Sequence, residues 1–408
     1  MDSNWIYLSD IASISSGGTP SKNHPEYWNG DIPWVSAKSM DADSLNSSML
    51  YITNEGVSAG SCMAKPGDIL LLVRGSGLFK RIPIIWVDKA MAFNQDIKRL
   101  SVPDHDDARY LYFWLQSQRS VISQNLEMTG IGAGKIDMNY LSEMPVWWPD
   151  KTVRKRIVVC LDSMQKLRTC LTQTNGHLLE IGQSIFDEKL KLCDLTEGNV
   201  GLLGDIAEGN PRRQLSKGEI AKYIDMSSLS TTGSYPSGWI EKAYNGGMRF
   251  ANGDTLLARI TPCLENGKAS YVNFLNESEV AFGSTEYIIL TGKDGISNEI
   301  FYFLVRNSNF IEYMVGHMNG SSGRQRVSVK DALNYPIHIP EGKTLKAIGQ
   351  RLSMLLNSVS ANSKQIKKLS QLRDALLPKL MSGEIDVSKV ELPTPLEQNS
   401  ATNGRLSE

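Results

Sequence analysis

The chain has 408 residues and a formal net charge of −1, and 41% of its residues are hydrophobic, 8% aromatic and 21% charged. This composition is typical of a folded protein and excludes global disorder. The longest apolar runs, at 69–73 and 84–87, are far shorter than the roughly 18 residues of a membrane span. Five widely spaced cysteines without a C-x-x-C pair favour reduced thiols in a cytoplasm and argue against a zinc site. We therefore expect a cytoplasmic protein of two or three domains, and a net charge near zero argues against a general polyanion binder.

Residues 1–150 are predicted to form a domain of the α+β class. Short β-type runs at 69–73 and 82–87 are bounded by glycine and proline, and an amphipathic segment near 107–126 indicates a helix. We expect a small, largely antiparallel sheet.

Residues 151–193 are predicted to form a long helix with a coiled-coil seam. Apolar residues recur at a strict seven-residue spacing, which is typical of a left-handed supercoil, and Leu167 and Ile181 supply part of a second row. Gly176 and Gly182 weaken this helix and could kink it. The first row consists of Ile157, Met164, Leu171, Leu178, Ile185 and Leu192.

The second half of the chain repeats this order. Residues 194–340 carry β-type runs at 255–260 and 287–290 and are predicted to form a helix near 298–316. We expect residues 341–383 to form a second heptad helix and 384–408 to be a flexible tail. Asn362 interrupts the second seam, where a buried amide could fix the register at some cost in stability. An amphipathic helix lying on a globular core is the alternative for either segment. The second seam consists of Leu345, Leu352, Val359 and Ile366, with Ile348, Leu355, Leu369 and Leu376 in its other row.

Four pairs of short segments recur in the same order in the two halves. LSDIA at 8–12 is echoed by LGDIA at 203–207, KPGD at 65–68 by ANGD at 251–254, and YLYFWL at 110–115 by IFYFLV at 300–305. In the fourth pair, KIDMNYLSEMPV at 135–146 is echoed by RVSVKDALNYPI at 326–337, and Pro145 corresponds to Pro336. The chain is therefore predicted to be a tandem duplication with a period of about 190 residues.

Motifs of catalytic chemistry are absent from the sequence. The run TGIGAGK at 129–135 fits neither a P-loop nor a dinucleotide fingerprint, the histidines lack the spacing of a helical zinc site, and no two prolines are adjacent. Adjacent prolines would be needed for the Asn/Asp-Pro-Pro-aromatic loop with which amino-methyltransferases hold adenine. We therefore predict a non-catalytic chain without a metal or cofactor of its own.

Recognition chemistry is concentrated in loops that combine glycine, hydroxyl groups and cations. Glycine permits close backbone approach, hydroxyl and N–H groups bind phosphates, and Arg, Gln and Asn can read base edges. Any one of these loops alone is more simply an ordinary surface turn, but both units carry them at matching places. The candidate DNA-binding residues are Ser16, Gly17, Gly18, Thr19, Lys22, Arg74, Ser76, Lys80, Arg81 and Lys135 in the first unit, and Arg212, Arg213, Arg259, Thr261, Asn266, Lys268, Arg324, Gln325 and Arg326 in the second.

Several of these segments resemble the specificity subunit of Type I restriction-modification systems. The matching segments, in chain order, are SGGTPS at 16–21, YWNGDIPWVS at 27–36, KPGDILLLVRGS at 65–76, ANGDTLLARITPCLENGK at 251–268, GSTEYIIL at 283–290 and RDALLPKLMSGEI at 373–385. The resemblance implies two target recognition domains, at 1–150 and 194–340, held apart by an antiparallel pair of conserved helices with an internal pseudo-twofold repeat. The second unit opens with the shorter 208–211 loop where the first has SGGTPS, so the two halves should read different sequences.

The same resemblance implies the partners of the chain. These are double-stranded DNA with a split, asymmetric site, two modification subunits that bind S-adenosylmethionine and methylate adenine, and optionally two restriction subunits that use ATP and Mg. A helix of about 40 residues is about 60 Å long, and readers about one turn of DNA apart meet the major groove from one side. The rival interpretation is a coiled-coil scaffold whose two globular heads bind protein.

The net charge is distributed unevenly along the chain. It is −5 for residues 1–150, +4 for 151–193, −3 for 194–340, +6 for 341–383 and −3 for the tail. The heads are slightly acidic and the helices are basic, so we expect the chain alone to bind DNA weakly. Neutralisation of the DNA backbone is then expected to come largely from partner subunits.

Overall fold

The structure is a computed structural model, and it describes residues 4–130, 132–190, 200–321 and 323–388. The predicted end of the first long helix at 193, and the tail from 389 onward, lie outside the described residues. The chain divides into two compact units, one made of 1–166 with 370–408 and the other of 167–369. Each long helix therefore contributes residues to both units.

In the residues that the structure describes, the first unit contains fourteen strands and five short α-helices before its long helix. The strands are β1 (Trp5–Tyr7), β2 (Ser13–Ser16), β3 (Trp28–Val35), β4 (Ser44–Leu45), β5 (Leu50–Ile52), β6 (Cys62–Ala64), β7 (Ile69–Leu72), β8 (Arg74–Gly75), β9 (Ile84–Val87), β10 (Met91–Phe93), β11 (Ile97–Ser101), β12 (Glu127–Met128), β13 (Gly134–Lys135) and β14 (Pro145–Trp147). The helices are α1 (Leu8–Ile11), α2 (Asn54–Ser58), α3 (His105–Ser117), α4 (Arg119–Gln124), α5 (Met138–Ser142) and the 39-residue α6 (Lys151–Lys189).

The described part of the second unit has ten strands. They are β15 (Val200–Leu202), β16 (Ala207–Gly209), β17 (Ile220–Ile224), β18 (Ile240–Ala243), β19 (Met248–Phe250), β20 (Thr255–Ala258), β21 (Ala269–Tyr271), β22 (Ala281–Gly283), β23 (Tyr287–Gly292) and β24 (Pro336–His338). Its helices are α7 (Leu203–Ile206), α8 (Glu299–Leu304), α9 (Ser308–Gly316), α10 (Val329–Leu333) and the 40-residue α11 (Gly342–Met381).

Both units are built on two main sheets with matching strand orders. In the first unit the orders are β2-β11-β7-β9-β4 and β5-β3-β10-β6, and in the second they are β16-β23-β20-β21 and β18-β17-β22-β19. Most strand pairs are antiparallel, but the centre of the second sheet is parallel in both units, through β3 with β10 and β17 with β22. The matching topology agrees with the predicted duplication.

Backbone conformation repeats at equivalent places as well. Gly60 and Gly246 lie two residues before the edge strands β6 and β19 and have φ values of 148° and 140°. Gly67 and Gly253 lie in the turns before β7 and β20, with φ values of 92° and 93°. These left-handed conformations are accessible to glycine, so the GD echo in the sequence has a conformational cause.

The core of each unit lies between its first sheet and the following helices. The central strands β7 and β20 are buried along their whole length, which explains why they consist of apolar residues and threonine rather than alternating with polar ones. Helix α3 packs on the sheet of the first unit, and its first turn is capped by Asp104, whose carboxylate accepts from the amides of Asp106 and Asp107. In the second unit, Asn307 caps α9 and Ser328 caps α10.

The long helices are attached to the first unit by partly buried ion pairs. Arg154 of α6 lies 2.8 Å from Asp107, and its guanidinium stacks on Trp148. Arg373 of α11 lies 3.4 Å from Asp43. Part of the positive charge of the helices is therefore used to hold them to an acidic head.

In the second unit the two long helices contact each other through an amide pair. Asn362 donates to Asn175 Oδ1 at 2.9 Å, and Asn175 in turn donates to Ser363 Oγ at 3.3 Å. Phe186 near the end of α6 shares an apolar cluster with Leu345 near the start of α11, so the helices run in opposite directions within this unit. The amide predicted to interrupt the seam is thus paired with an amide.

The residues of the predicted seam differ in their burial. Leu167 and Ile181 are 41% and 51% exposed. Gly182 is buried because the ring of Phe303 lies where a Cβ would be, whereas no atom approaches Gly176. In the first row of each long helix, the buried residues are Ile157, Leu345, Leu352 and Val359. The partly buried residues of these rows are Met164, Leu171, Leu178, Ile185 and Ile366, and Leu369 in the other row of the second helix is also partly buried.

Candidate nucleic-acid interface

The glycine-rich loop of the first unit is packed against the second sheet. A side chain at Gly17 would overlap Phe93, and one at Gly18 would overlap the carbonyl of Gly60. The carbonyl oxygen of Gly18 accepts hydrogen bonds from Trp34 Nε1 and from Ser61 Oγ, both at 3.1 Å. The two glycines are therefore required for packing of the loop, whatever else the loop binds.

The polar side chains of this loop lie around that packed backbone. Thr19 donates to Gln95 Oε1 at 2.6 Å, and Lys98 donates to Ser16 Oγ. Lys22 lines an open hollow of about 370 Å³ together with Trp28. Of the predicted residues of this loop, Ser16, Thr19 and Lys22 are exposed.

A small three-stranded sheet brings two separate loops of the first unit together. Arg74 of β8 and Lys135 of β13 are direct register partners, and Lys135 also pairs with Glu127 at 3.1 Å. Ser76 and Lys80 are exposed beside this sheet, on the turn after β8. The predicted 74–81 and 129–135 loops thus form one surface.

Arg81 has a role inside the first unit. Its guanidinium donates to the carbonyl of Asp41 at 3.1 Å and to that of Met40. This arginine anchors the 40–43 segment, so its charge is directed toward the protein.

The second unit brings together the predicted loops at 259–268 and 324–326. Arg326 binds Glu286 with Nε at 2.8 and 2.9 Å from the two carboxylate oxygens, and Arg259 lies 4.0 Å from the same carboxylate. The backbone of Thr261 donates to the carbonyl of Gln325 at 3.1 Å. One surface therefore carries residues that are 64 positions apart in the sequence.

Glu286 controls the electrostatics of this surface. The Arg326 guanidinium holds the pKa of the Glu286 carboxyl below its ordinary value, which outweighs the opposing effect of partial burial. The ionised carboxylate orients Arg326 and neutralises part of its charge. Exposed cations and amides on these loops include Arg324 and Asn266.

Other predicted residues of the second unit also have partners within the protein. Arg213 makes a two-pronged pair with the fully buried Asp254, at 2.6 and 3.2 Å. Lys268 donates to the carbonyl of Met226 at 3.1 Å, and Arg212 is exposed. The sequence identified cationic loops, but burial of the carboxylate partner could not be read from it.

A structural cation that the sequence reasoning missed is Arg306. Its guanidinium donates to the carbonyls of Thr231, Gly267 and Gly233 at 2.6 Å, and to two further carbonyls nearby. It holds the 230–233 loop against the 267–269 turn. An arginine directly after an apolar helix is the signal that could have suggested an inward-directed role.

Metal chemistry has no evident location in the described parts of the chain. Between residues 4 and 388, apart from the undescribed gaps, no group of three His, Cys, Asp or Glu side chains could hold a metal ion.

Cys62, Cys160, Cys170 and Cys263 are free thiols, and Cys193 lies outside the described residues. None of the described helices is long and apolar enough to span a membrane.

A duplicated α+β unit, with a long helix after each copy and cationic loops on each head, defines a class of two-headed recognition proteins. The chain belongs to the family of the Type I restriction modification DNA specificity domain, whose model matches residues 2–180 and 198–371. Members of this family are non-catalytic, and they provide the DNA specificity of their complexes. The family resemblance predicted from the sequence is confirmed.

Named relatives agree with this assignment. The EcoR124I/EcoR124II specificity subunit of Escherichia coli is 32% identical over 185 residues, which are 45% of this chain and 46% of that protein. The chain therefore matches less than half of that relative's length. The MjaIX specificity subunit of Methanocaldococcus jannaschii is 22% identical over 94% of this chain and 93% of its own.

A solved structure shows the same fold. The S subunit of a Type I restriction-modification system from M. genitalium has a TM-score of 0.55 with this chain at 16% sequence identity. The superposition covers 93% of this chain and 96% of that one. The fold is thus shared over nearly the whole length.

Proposed function

We propose that the two heads of this chain are target recognition domains that read the two halves of a split, asymmetric DNA site. The observation that carries this proposal is the repetition of one α+β topology, with cationic loops at matching places and different residues in them. Different loop residues are expected to read different bases. The single chain would then specify a site without internal symmetry.

The proposal assigns the two long helices the role of an antiparallel coiled-coil spacer with an internal pseudo-twofold repeat. Helices of 39 and 40 residues are each about 60 Å long. The opposed directions of α6 and α11 and the Asn175–Asn362 contact support this role. The unread gap of the DNA site would follow from the length of the spacer.

The chemistry of the complex is assigned to other chains. Two modification subunits would bind S-adenosylmethionine and methylate adenine, and two restriction subunits, where present, would use ATP and Mg. The slightly acidic heads support the need for partners, since an acidic surface repels the DNA backbone. The complex would act on DNA in the cytoplasm.

A filter-binding assay with a partner methyltransferase tests this proposal against the protein-binding scaffold. A DNA reader retains duplexes selectively by sequence, and its affinity falls steeply as salt rises. A scaffold with two protein-binding heads would give neither selective retention nor salt dependence. The complex should be compared with the methyltransferase alone, so that DNA binding by the partner is subtracted.

A further inference from the structure

The second sheet of the two units is covered differently. In the first unit, the 17–19 loop lies on this sheet, where it contacts Phe93 through the amide of Gly18 at 2.9 Å and Gln95 through the side chain of Thr19. Helix α2 lies in the connection from β5 to β6, and Gly56 within it approaches Tyr27. The place beside Trp34 and Ser61 on this sheet of the first unit is therefore filled by the chain itself.

The equivalent place in the second unit is open. The connection from β18 to β19 has only four residues, and the segment after β16 is drawn away because Asn210 bonds to the backbone of Ile289 at both its amide and its side chain. Arg213 continues this course toward Asp254. A hollow of about 360 Å³ remains, which we call the unit-2 hollow. The lining residues that matter here are Tyr223, Lys242, Asn245, Gly247, Ser284 and Thr285.

Strand register identifies the hollow with the place of the first unit's loop. Tyr223 and Trp34 occupy equivalent positions. Tyr223 pairs in register with the middle residue of β22, and Trp34 pairs in register with the middle residue of β10, the equivalent strand of the first unit. Gly247 precedes β19 as Ser61 precedes β6. In the first unit those two positions, Trp34 and Ser61, donate hydrogen bonds to the Gly18 carbonyl, so the loop presents an acceptor oxygen there.

The polar groups of the unit-2 hollow suit a negatively charged acceptor. Lys242 is exposed, lies 4.7 Å above the ring of Tyr223, and makes no ion pair with any residue that the structure describes. Asn245 and Thr285 are exposed and add an amide and a hydroxyl. Ser284 Oγ accepts from the amide of Glu286, which leaves its own hydrogen available to donate.

The Asp225 carboxylate near this hollow is ionised and is hydrogen-bonded to Ser227. Asp225 accepts from the amide and the hydroxyl of Ser227 at 2.8 and 2.7 Å, and these bonds hold its pKa below the ordinary value. The hollow thus offers one cation, two hydroxyl groups and an amide on one concave surface. Phosphate oxygens bind to cations and hydroxyl groups of this kind.

We infer that the unit-2 hollow binds a phosphodiester of the DNA backbone, with Lys242 as its cation. This inference rests on the proposed function and adds a contact that none of the cationic loops predicted from the sequence includes. A point charge such as a lysine ammonium fits a phosphate rather than the bidentate reading of a base. The contact would position the second head on DNA without reading sequence.

The test uses the complete complex of this chain with its methyltransferase partner, a cognate duplex and a scrambled duplex of equal length. Lys242→Ala is expected to raise the Kd for both duplexes by the same factor, about 3- to 10-fold. It should also reduce the slope of log affinity against log salt by about 0.9. Thr285→Ala should weaken both by a smaller factor with no change of slope. Lys330→Ala, which removes an exposed lysine on α10, is the matched control and should change neither quantity.

Two outcomes would overturn the phosphate site: an unchanged Kd and slope for Lys242→Ala, or a loss confined to the cognate duplex. The second outcome would identify a base contact instead. If the unaltered complex fails to distinguish the two duplexes, the proposed function fails. The salt slope of the Lys242 variant still decides the phosphate site in that case.

Discussion

Several cations of the candidate interface are held by carboxylates or carbonyls of their own unit. Arg213 is bound by a fully buried carboxylate, and Arg306 satisfies five carbonyls of two loops. Removal of such a cation leaves buried acceptors unpaired, which costs more than the loss of a surface contact. Loss of DNA binding in these variants would therefore report on folding of the loops as well as on contact with DNA.

The ion pair of Glu286 with Arg326 makes the stability of the surface formed by the 259–268 and 324–326 loops dependent on pH. Because the pKa of Glu286 is lower in the folded chain than in the unfolded one, its ionisation stabilises the fold above the unfolded pKa of about 4.3. This contribution is lost as pH falls through the folded pKa. Above pH 6 it is fully present.

Glu286→Gln is expected to reduce hydrogen-exchange protection of the Thr261 and Val327 amides at pH 6 by about tenfold, or roughly 1.5 kcal/mol. These amides bond across the surface that Glu286 supports. The difference from the unaltered chain should shrink as pH falls below about 4. The control is Glu265→Gln, which changes an exposed carboxylate in the 259–268 loop that also contains Thr261. Equal protection in the Glu286 variant and the unaltered chain at pH 6 would refute this role.

The contacts of single residues also show the limit of reading a site from sequence. Arg324, Lys80 and Arg81 are all exposed, but the guanidinium of Arg81 donates to carbonyls of its own unit. Sequence pattern reports the type of side chain in a loop. It does not report the direction of that side chain, because direction depends on partners that are distant in the chain.

At the scale of elements, the two glycines of α6 have opposite environments. Gly182 lies against the ring of Phe303, whereas the space around Gly176 is open. The sequence treats both as weak points of a helix, since glycine has low helix propensity. Only tertiary packing distinguishes the glycine that the fold requires.

Gly182→Ala should destabilise the second unit by about 1–3 kcal/mol, because the added methyl group overlaps an aromatic ring. Gly176→Ala, its matched control, should stabilise the same helix by about 0.5–1 kcal/mol. Urea unfolding, followed by a spectroscopic signal from the second unit, measures the change in the free energy of unfolding for both variants. Combining Gly182→Ala with Phe303→Leu should recover part of the loss. Equal stabilisation by the two alanines would contradict the packing described here.

Elements with strong local signals were predictable, and those set by long-range pairing were not. The buried strands near 69 and 255 and the helices near 107 and 298 follow from apolar pattern and glycine-bounded turns. The second helical segment divides into α8 and α9 at Asn307, a cap that periodicity alone does not reveal. The parallel centre of the second sheet joins β17 to β22, about 60 residues apart, and no local pattern predicts such a partner.

At the scale of the whole molecule, charge and duplication support one account. Basic helices and acidic heads fit a chain that binds DNA within a complex rather than alone. Duplication followed by divergence of the loops, such as the 17–19 loop against the unit-2 hollow, would give one chain the two different DNA surfaces that we propose. The length of the helices would then set the distance between the two half-sites.

The central claim is tested most directly by lengthening both long helices by one heptad at matched places beside the Asn175–Asn362 contact. Seven residues add about 10.5 Å, or up to about 3 base pairs. Methylation sites in cells that express the lengthened chain with its partner should be mapped by single-molecule sequencing. We predict a longer gap between two unchanged half-sites. An unchanged gap would contradict the spacer role of the helices, and altered half-sites would contradict independent reading by the two heads.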